Sequence, residues 1–220
     1  MKILCIPYTQ TLSHISRPLL VAKELKNRGH EVVFAGESPK IKFIQQGGFT
    51  VVPLYEPDPD ILFGNIRRGK LKFVSDSEIE RMIEADIALF REVKPDIVLT
   101  DGRFTAPIST HIAGFKHVAI VNVSSTEYRA LPYIPFFEWI PQWLIKRDTS
   151  LWNMIDVINL KLEMLVFDNV MNIFKKLSKK YGLKKTVTAT NCLTGKDITL
   201  LADIPEYFPI RNLPKNYHYI

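Results

Sequence analysis

Lys2-Ile-Leu-Cys-Ile-Pro7, together with the segment that follows it as far as Ala35, decides the fold of this chain. The first six residues form a short apolar run, which predicts a strand buried on both faces of a sheet. After the connection Tyr8–Ser13, apolar residues recur at helical spacing, at Leu19, Leu20, Ala22 and Leu25. Gly29 ends that helix, and Glu31–Ala35 resumes with β-branched and aromatic residues. The stretch is therefore a βαβ unit with parallel strands.

Strands and helices continue to alternate through most of the chain. The predicted helices are Pro39–Gln46, one capped by Ser75 or Asp76 that runs to about Val93, and Ala106–Ala113. The predicted strands are Phe49–Leu54, Ile97–Thr100, His117–Val123 and Ile198–Ala202. Glu56–Lys70 contains proline and glycine breakers and is interpreted as a loop. This alternation predicts an α/β protein with a Rossmann-like, doubly wound parallel sheet, in the strand order 3-2-1-4-5.

The alternation is interrupted between about residues 127 and 181. Leu131–Trp143 sets aromatic residues between prolines, which excludes a long regular helix. Leu151–Tyr181 carries apolar residues at helical spacing, which predicts helix over about 45 Å. Ile204–Pro214 is rich in proline and reads as irregular. We therefore expect one Rossmann-like domain over residues 1–220, with a helical and aromatic insertion at about 127–181.

The composition is that of an ordinary globular protein, and 220 residues suffice for a sizeable core. No stretch approaches the roughly 20 apolar residues that span a bilayer. The chain starts directly with a strand, so we expect a cytoplasmic protein. Cys5 falls in a core strand and Cys192 in a distant loop, so the spacing of the two cysteines predicts neither a metal site nor a redox pair.

The positive charge is concentrated in one segment. Six lysines and no acid fall in residues 175–185, and these six equal the whole formal net charge of +6. The simpler interpretation is a solvated helix C-terminus ended by Gly182, where lysines complement the helix dipole. The alternative is contact with an anionic membrane surface or another acidic partner. No recognised nucleic-acid-binding motif accompanies the lysines, so no nucleic acid partner is expected.

His14 and Asp101 are the titratable residues that the predicted topology brings together. His14 follows the carboxyl end of the first strand, and Asp101 lies at the carboxyl end of the fourth. Those strands are neighbours at the switch point of the sheet, where doubly wound folds bind ligands. An imidazole there can take a proton from a hydroxyl, while a carboxylate on its other nitrogen fixes the tautomer. The alternative is structural: His14 could cap the helix, and Asp101 could accept bonds from its own turn.

Three segments resemble the N-terminal half of GT-B glycosyltransferases of the UDP-glucuronosyltransferase and macrolide glycosyltransferase type. The matching segments are Ser13-His14 with Pro18 and Arg28–Val32, then Lys94–Asp101, and finally Leu200–Asp203 followed by Tyr207–Ile220. They span the chain in the expected order. Ser13 departs from the family pattern, because it stands where a glycine is usual.

The resemblance implies a fold, a reaction and a partner. His14 takes the place of the family's catalytic base and Asp101 that of its charge partner. The implied reaction is inverting transfer of a sugar from a nucleotide sugar, expected to be a UDP-sugar, to an acceptor hydroxyl, without any cofactor. The family's second Rossmann domain holds that donor, and this sequence has no glycine-rich diphosphate loop to replace it. We therefore expect the chain to need a C-terminal donor-binding domain or subunit, and to bind acceptor without turnover when alone.

The same resemblance places the acceptor pocket largely in the segments after the fifth strand. The expected acceptor-binding residues are Ser13, Phe104, Ser124, Ser125, Phe136, Phe137, Trp139 and Trp143. Aromatic side chains in a proline-braced loop suit a flat or apolar acceptor, so a small-molecule or lipid-like acceptor is the hypothesis. The alternatives are that these aromatics cover the core or a domain interface, or that they enter a membrane surface beside the lysines.

The sequence leaves two other functions to compare. One is a non-catalytic scaffold subunit of a split glycosyltransferase. Such a subunit would bind the acceptor or, as a peripheral membrane protein, recruit its partner to a membrane. The other is a nucleotide-binding Rossmann domain. The connection Pro7–Ser13 contains no glycine, which disfavours a close backbone approach to a pyrophosphate.

Overall fold

The computed structural model describes residues 1–130, 132–134, 136–147, 149–208, 210 and 213–220. The strands there are β1 Lys2–Pro7, β2 Glu31–Ala35, β3 Thr50–Val52, β4 Ile97–Asp101, β5 Lys116–Val121, β6 Ile198–Leu201 and β7 Tyr217–Tyr219. The helices are α1 Leu12–Asn27, α2 Lys42–Gln46, α3 Pro59–Arg67, α4 Asp76–Val93, α5 Ala106–Ala113, α6 Ser150–Val170 and α7 Ile173–Lys180. Short 3₁₀ turns lie at Pro39–Ile41 and Val123–Ser125.

The strands form one parallel sheet in the order β3-β2-β1-β4-β5-β6-β7. The predicted order 3-2-1-4-5 is confirmed as its first five strands. The Rossmann-like α/β class is confirmed with it. β7 was not predicted, because three residues give too short a pattern to separate a strand from the irregular segment before it.

Both faces of the central strand β1 are buried. Ile3 and Cys5 pack with residues of α1 and α2 on one face, while Leu4 and Ile6 pack with residues of α4 on the other. Alternate residues of a strand point to opposite faces, so a continuous apolar run is what a doubly covered strand requires. The helices on both sides thus fix β1, and with it the start of α1, where His14 lies.

The prediction of a loop over Glu56–Lys70 is wrong, since this segment contains α3. The Asp58 side chain accepts hydrogen bonds from the backbone N–H groups of Asp60 and Ile61, and Pro59 begins the helix. An acidic N-cap followed by proline is a helix-start signal, because proline needs no hydrogen bond for its nitrogen in the first turn. Proline and glycine breakers alone do not separate such a helix start from a loop.

The long helix predicted at Leu151–Tyr181 is divided into α6 and α7 around the fully buried Met171. The buried residues of α6 are polar, namely Asn159 and Glu163. Its exposed apolar side chains are Leu151, Met154, Val157, Ile158, Leu162, Leu165, Val166 and Val170. Within the described residues, none of the helices combines the length and the apolar character that crossing a membrane requires.

Candidate active site

The register of the sheet brings His14 and Asp101 together. Pro7, the last residue of β1, pairs with Asp101, the last residue of β4, and the Tyr8 N–H donates to the Asp101 carbonyl at 2.7 Å. The next turns of the chain carry His14 into the first turn of α1. His14 Nδ1 then lies 2.5 Å from Asp101 Oδ1, although 87 positions separate the two residues.

His14 Nδ1 lies 2.5 Å from Asp101 Oδ1 and 3.1 Å from Arg17 Nη2, and the shorter contact indicates the tautomer of the imidazole. The carboxylate of Asp101 is 1% exposed and can only accept, so Nδ1–H of His14 donates to it. Nε2 then carries the lone pair that can accept a proton. The His14 side chain is 30% exposed, so solvent and ligands can reach it. The pair therefore has the geometry of a general base with an orienting carboxylate.

Arg17 is a third member of the cluster that the sequence reasoning missed. Its Nε donates to Asp101 Oδ2 at 2.8 Å, and its Nη2 donates to Oδ1 at 2.7 Å. Its Nη1 donates to Asn122 Oδ1 at 2.6 Å, which ties the cluster to the end of β5. The available signal was its position three residues after His14, on the same face of one helix.

Gly102 lets the backbone of the β4–α5 connection pass close to the cluster. Its φ is +91°, and a Cβ at this position would lie 2.8 Å from Tyr8 Cβ and 3.4 Å from His14 Nδ1. A glycine is therefore required both by the backbone conformation and by the space. Just beyond it, buried Arg103 donates from Nε to Asp86 Oδ1 at 2.9 Å and from Nη1 to the Tyr55 carbonyl at 2.7 Å, which anchors the connection.

An apolar cavity of about 360 Å³ opens beside His14. Among the expected acceptor-binding residues, Phe104 and Ser125 line it. Sequence reasoning missed the apolar wall from α3 and its surroundings, because that segment was interpreted as a loop. The lining residues that were not predicted include Tyr8, Leu62, Phe63, Ile66, Phe73, Arg129, Tyr133 and Phe167. The cavity can hold a mostly apolar molecule next to a basic nitrogen.

The other expected acceptor-binding residues lie outside the lining of this cavity. Ser13 is exposed on α1, and Ser124 lines a separate cavity of about 380 Å³. Phe136, Trp139 and Trp143 are exposed and Phe137 is half-buried, and none of the four contributes to the first cavity. The acceptor-binding role of these four aromatic residues stays a prediction, because composition does not indicate where a side chain points.

Tyr8 also lines the cavity, and its ring meets the His14 ring edge to face with 6.2 Å between the centroids. Burial, followed by the carboxylates of Glu56 and Asp58, raises the pKa of Tyr8 to about 12. The phenol therefore stays protonated near neutral pH. Glu56 also holds the preceding connection, because its carboxylate accepts from the backbone N–H of Thr9 at 2.9 Å and from the hydroxyl at 2.8 Å.

In the described part of the chain, His, Cys, Asp and Glu side chains form no group of three or more that could hold a metal ion. Both cysteines are buried and free. The polar groups gathered around the cavity are the imidazole of His14, the carboxylate of Asp101, and hydroxyl and guanidinium groups.

Comparison with known proteins finds relatives along the whole chain. It is 28% identical over 222 aligned positions to "PGL/p-HBAD biosynthesis glycosyltransferase" of Mycobacterium tuberculosis (strain H37Ra), covering all of this chain and 50% of that protein. It is equally identical to "Inactive PGL/p-HBAD biosynthesis glycosyltransferase" of Mycobacterium bovis (strain BCG), covering 58% of it. The chain therefore spans about half the length of the curated relatives it matches. No family model matches the chain.

Solved structures share the fold at lower sequence identity. The calicheamicin glycosyltransferase CalG4 superposes with a TM-score of 0.64 at 14% identity, over 99% of this chain and 52% of that one. The spinosyn rhamnosyltransferase SpnG, solved with thymidine diphosphate, gives 0.60 at 13% identity, over 99% of this chain and 49% of that one. The resemblance to glycosyltransferases predicted from the sequence is thus confirmed along the whole chain, and its fold is the Rossmann-like α/β fold of GT-B glycosyltransferases.

Proposed function

We propose that this chain is the acceptor-binding half of an inverting glycosyltransferase, in which His14 is the general base. The acceptor oxygen attacks the anomeric carbon of a nucleotide sugar from the face opposite the diphosphate. The bond from that carbon to the phosphate oxygen breaks, and its electron pair leaves with the nucleoside diphosphate. The proton of the acceptor hydroxyl goes to Nε2 of His14, and Asp101 stabilises the imidazolium that forms.

One observation carries this proposal, namely the 2.5 Å contact between His14 Nδ1 and Asp101 Oδ1 beside an apolar cavity. The contact leaves the basic nitrogen free for the substrate, and the cavity offers an acceptor a place next to it. The glycosyltransferase names of the relatives support the same reaction class. The apolar lining supports a small-molecule or lipid-like acceptor.

The donor belongs to a partner in this proposal. The matched relatives are about twice as long as this chain, which supports a second, donor-binding half as a domain or a separate subunit. A structural neighbour was solved with thymidine diphosphate, so a nucleoside diphosphate is the leaving group that we expect. UDP and thymidine diphosphate are the two carriers to compare.

The experiment measures sugar transfer by the chain together with a donor-binding half. With 2-naphthol as acceptor and UDP-glucose or thymidine diphosphate rhamnose as donor, His14→Ala should lower the rate by about 10²- to 10⁴-fold. His218→Ala, which changes an exposed histidine in β7, is the matched control and should leave the rate unchanged. Equal rates for His14→Ala and the unsubstituted protein would show that His14 is not the general base, and only a binding role would be left for the chain.

The exposed apolar residues favour a second candidate function, recruitment to an anionic membrane surface. Trp139 and Trp143 are 76% and 85% exposed, and α6 exposes an apolar face. Lys176, Lys179 and Lys180 on α7 are exposed as well. Tryptophans favour the interface of a bilayer, and lysines favour anionic head groups. These features also suit the scaffold subunit considered as the alternative to an enzyme.

Vesicle sedimentation at low salt tests this candidate. The chain should co-sediment with phosphatidylglycerol-containing vesicles, less so at high salt, and replacing Trp139 and Trp143 by serine should weaken binding. Leu20→Ser, at an exposed position of α1, is the control that should bind normally. Equal sedimentation with and without vesicles would exclude a membrane role for these residues.

A further inference from the structure

Three buried polar atoms in the described part of the chain have no hydrogen-bond partner, and all three belong to residues that line the cavity beside His14. They are Tyr8 Oη, Thr11 Oγ1 and Arg129 Nε. Buried polar groups without partners are rare in folded proteins, because each gives up its hydrogen bonds to water. Because all three residues line one apolar cavity, a ligand bound there is the candidate partner for these groups.

Two of the three atoms lie in the connection that leads to His14. Tyr8 precedes the first turn of α1, and Thr11 immediately precedes the helix. Both carry hydroxyl groups, which can donate a hydrogen bond as well as accept one. A substrate hydroxyl that donates to His14 Nε2 has lone pairs left over, and these hydroxyls can donate to them. Tyr8 and Thr11 are therefore suited to orient the reacting hydroxyl.

Arg129 offers a different kind of group, from a different segment of the chain. Arg129 is 8% exposed. Its Nη2 donates to Glu163 Oε1, and its guanidinium lies 4.4 Å from the centroid of the Tyr133 ring. Glu163 also accepts from the backbone N–H groups of Tyr133 and Ile134, at 2.7 and 2.8 Å. The guanidinium is thus fixed in position, and its charge is compensated.

The buried Nε–H of Arg129 has no partner and can only donate. Because Glu163 already balances the positive charge, a second carboxylate would meet a repulsive neighbour. A neutral oxygen, such as a carbonyl or an ether, satisfies the donor without adding charge. An apolar ligand without such an oxygen would leave the Nε–H unsatisfied.

We propose that Arg129 determines acceptor specificity by donating from Nε to a neutral oxygen of an otherwise apolar acceptor, while Tyr8 and Thr11 hold the acceptor's reacting hydroxyl at His14. This inference rests on the proposed function for the identity of the site. It adds a chemical requirement, namely a second oxygen at a distance from the hydroxyl that receives the sugar.

A pair of fluorescent naphthols tests the requirement by binding alone. 6-Acetyl-2-naphthol and 6-ethyl-2-naphthol have nearly the same shape, and only the first has a carbonyl. A carbonyl is more strongly hydrated than a methylene, so a cavity without a donor prefers the ethyl compound. With the Arg129 donor in place, the chain should bind the acetyl compound about tenfold more tightly than the ethyl compound.

Arg129→Lys should reverse or remove this preference, because lysine keeps the charge beside Glu163 but has no N–H at the position of Nε. Arg147→Lys, in an exposed loop, is the matched control and should keep the preference. Thermal unfolding of each variant checks that the fold is retained. The preference of the unsubstituted chain is an independent readout that does not depend on either variant.

Three results would overturn the proposal: tighter binding of the ethyl compound by the unsubstituted chain, an acetyl preference that survives Arg129→Lys in folded protein, or no saturable binding of either naphthol. The transfer experiment with His14→Ala is separate from these measurements. A loss of transfer in His14→Ala, combined with a preference for the ethyl compound, would remove the role of Arg129 and keep the proposed reaction.

Discussion

Arg17 donates two hydrogen bonds to Asp101, from Nε to Oδ2 at 2.8 Å and from Nη2 to Oδ1 at 2.7 Å. The same carboxylate receives the bond from His14, so three donors converge on one buried anion. Arg17 therefore fixes the position of the carboxylate that in turn orients the imidazole. It also supplies the positive charge that makes burial of Asp101 tolerable.

Replacement of Arg17 by glutamine should destabilise the fold, because the buried carboxylate loses its charged partner. We expect a decrease of about 2 kcal/mol in the free energy of unfolding, measured with urea. Arg28→Gln is the matched control, since Arg28 pairs with Glu24 on the exposed face of α1, and it should cost about 0.5 kcal/mol or less. Similar losses in the two variants would contradict the role assigned to Arg17.

Asp101→Asn should impair transfer by the complete enzyme more than it impairs folding. Asparagine keeps the shape of the side chain, but it cannot stabilise an imidazolium and permits the wrong tautomer of His14. We expect a decrease of about 10²- to 10⁴-fold in kcat, measured with the naphthol acceptor. Glu80→Gln, at an exposed position of α4, makes the same chemical change elsewhere and should leave kcat intact.

Gly102→Ala should perturb the site by contact as well as by backbone strain. The new methyl group would meet Tyr8 Cβ at 2.8 Å in a backbone with φ of +91°, and strain of this kind costs about 1–3 kcal/mol. Gly29→Ala has a similar φ of +81° and no atom within 4 Å of the new methyl group, so it measures strain alone. A larger loss of unfolding free energy in Gly102→Ala isolates the contact, and equal losses would contradict it.

His117 should make the fold sensitive to acid. Burial lowers the pKa of this imidazole to about 3, against 6.5 for an unperturbed histidine, while its Nε2 contacts Thr100 Oγ1 at 2.8 Å. The unfolded chain therefore takes up the proton first as the pH falls. The contribution of His117 to stability is complete above about pH 6.5 and is lost toward pH 3, with a slope approaching about 1.4 kcal/mol per pH unit.

Urea unfolding at a series of pH values checks this dependence. His117→Gln removes the titrating group, so the free energy of unfolding of this variant should fall less steeply between pH 6.5 and pH 3. His218→Gln, at an exposed histidine, should behave like the unsubstituted chain. Parallel curves for His117→Gln and the unsubstituted chain would show that His117 does not titrate with folding.

The sequence predicted the sheet and the meeting of His14 with Asp101 for the same reason. Both follow from the order of parallel strands, and that order is encoded in long apolar runs that only a doubly covered sheet can bury. The catalytic roles of the two residues stay a prediction. Arg17 was missed because an arginine on a helix is most often a solvated surface residue. Only its spacing from His14 indicated a contact with Asp101.

The cavity was much harder to predict than the sheet. Its apolar wall comes partly from α3, whose Asp58-Pro59 start was interpreted as a break in the chain. Trp139 and Trp143 illustrate a second difficulty. Their place in the sequence is plain, but it does not indicate that both side chains are exposed. Direction depends on tertiary contacts such as those of Glu163, which periodicity does not encode.

Buried Glu163 joins α6 to the segment that contains Arg129 and Tyr133. His14 and Asp101 meet where β1 and β4 end, whereas Arg129 and Tyr133 are held by Glu163 of α6. Under the proposed function, the residues that would set acceptor preference are therefore held separately from the imidazole and its carboxylate. A graft of residues 127–181 from a relative would be expected to carry over that relative's choice of acceptor, while the chemistry stayed with the host.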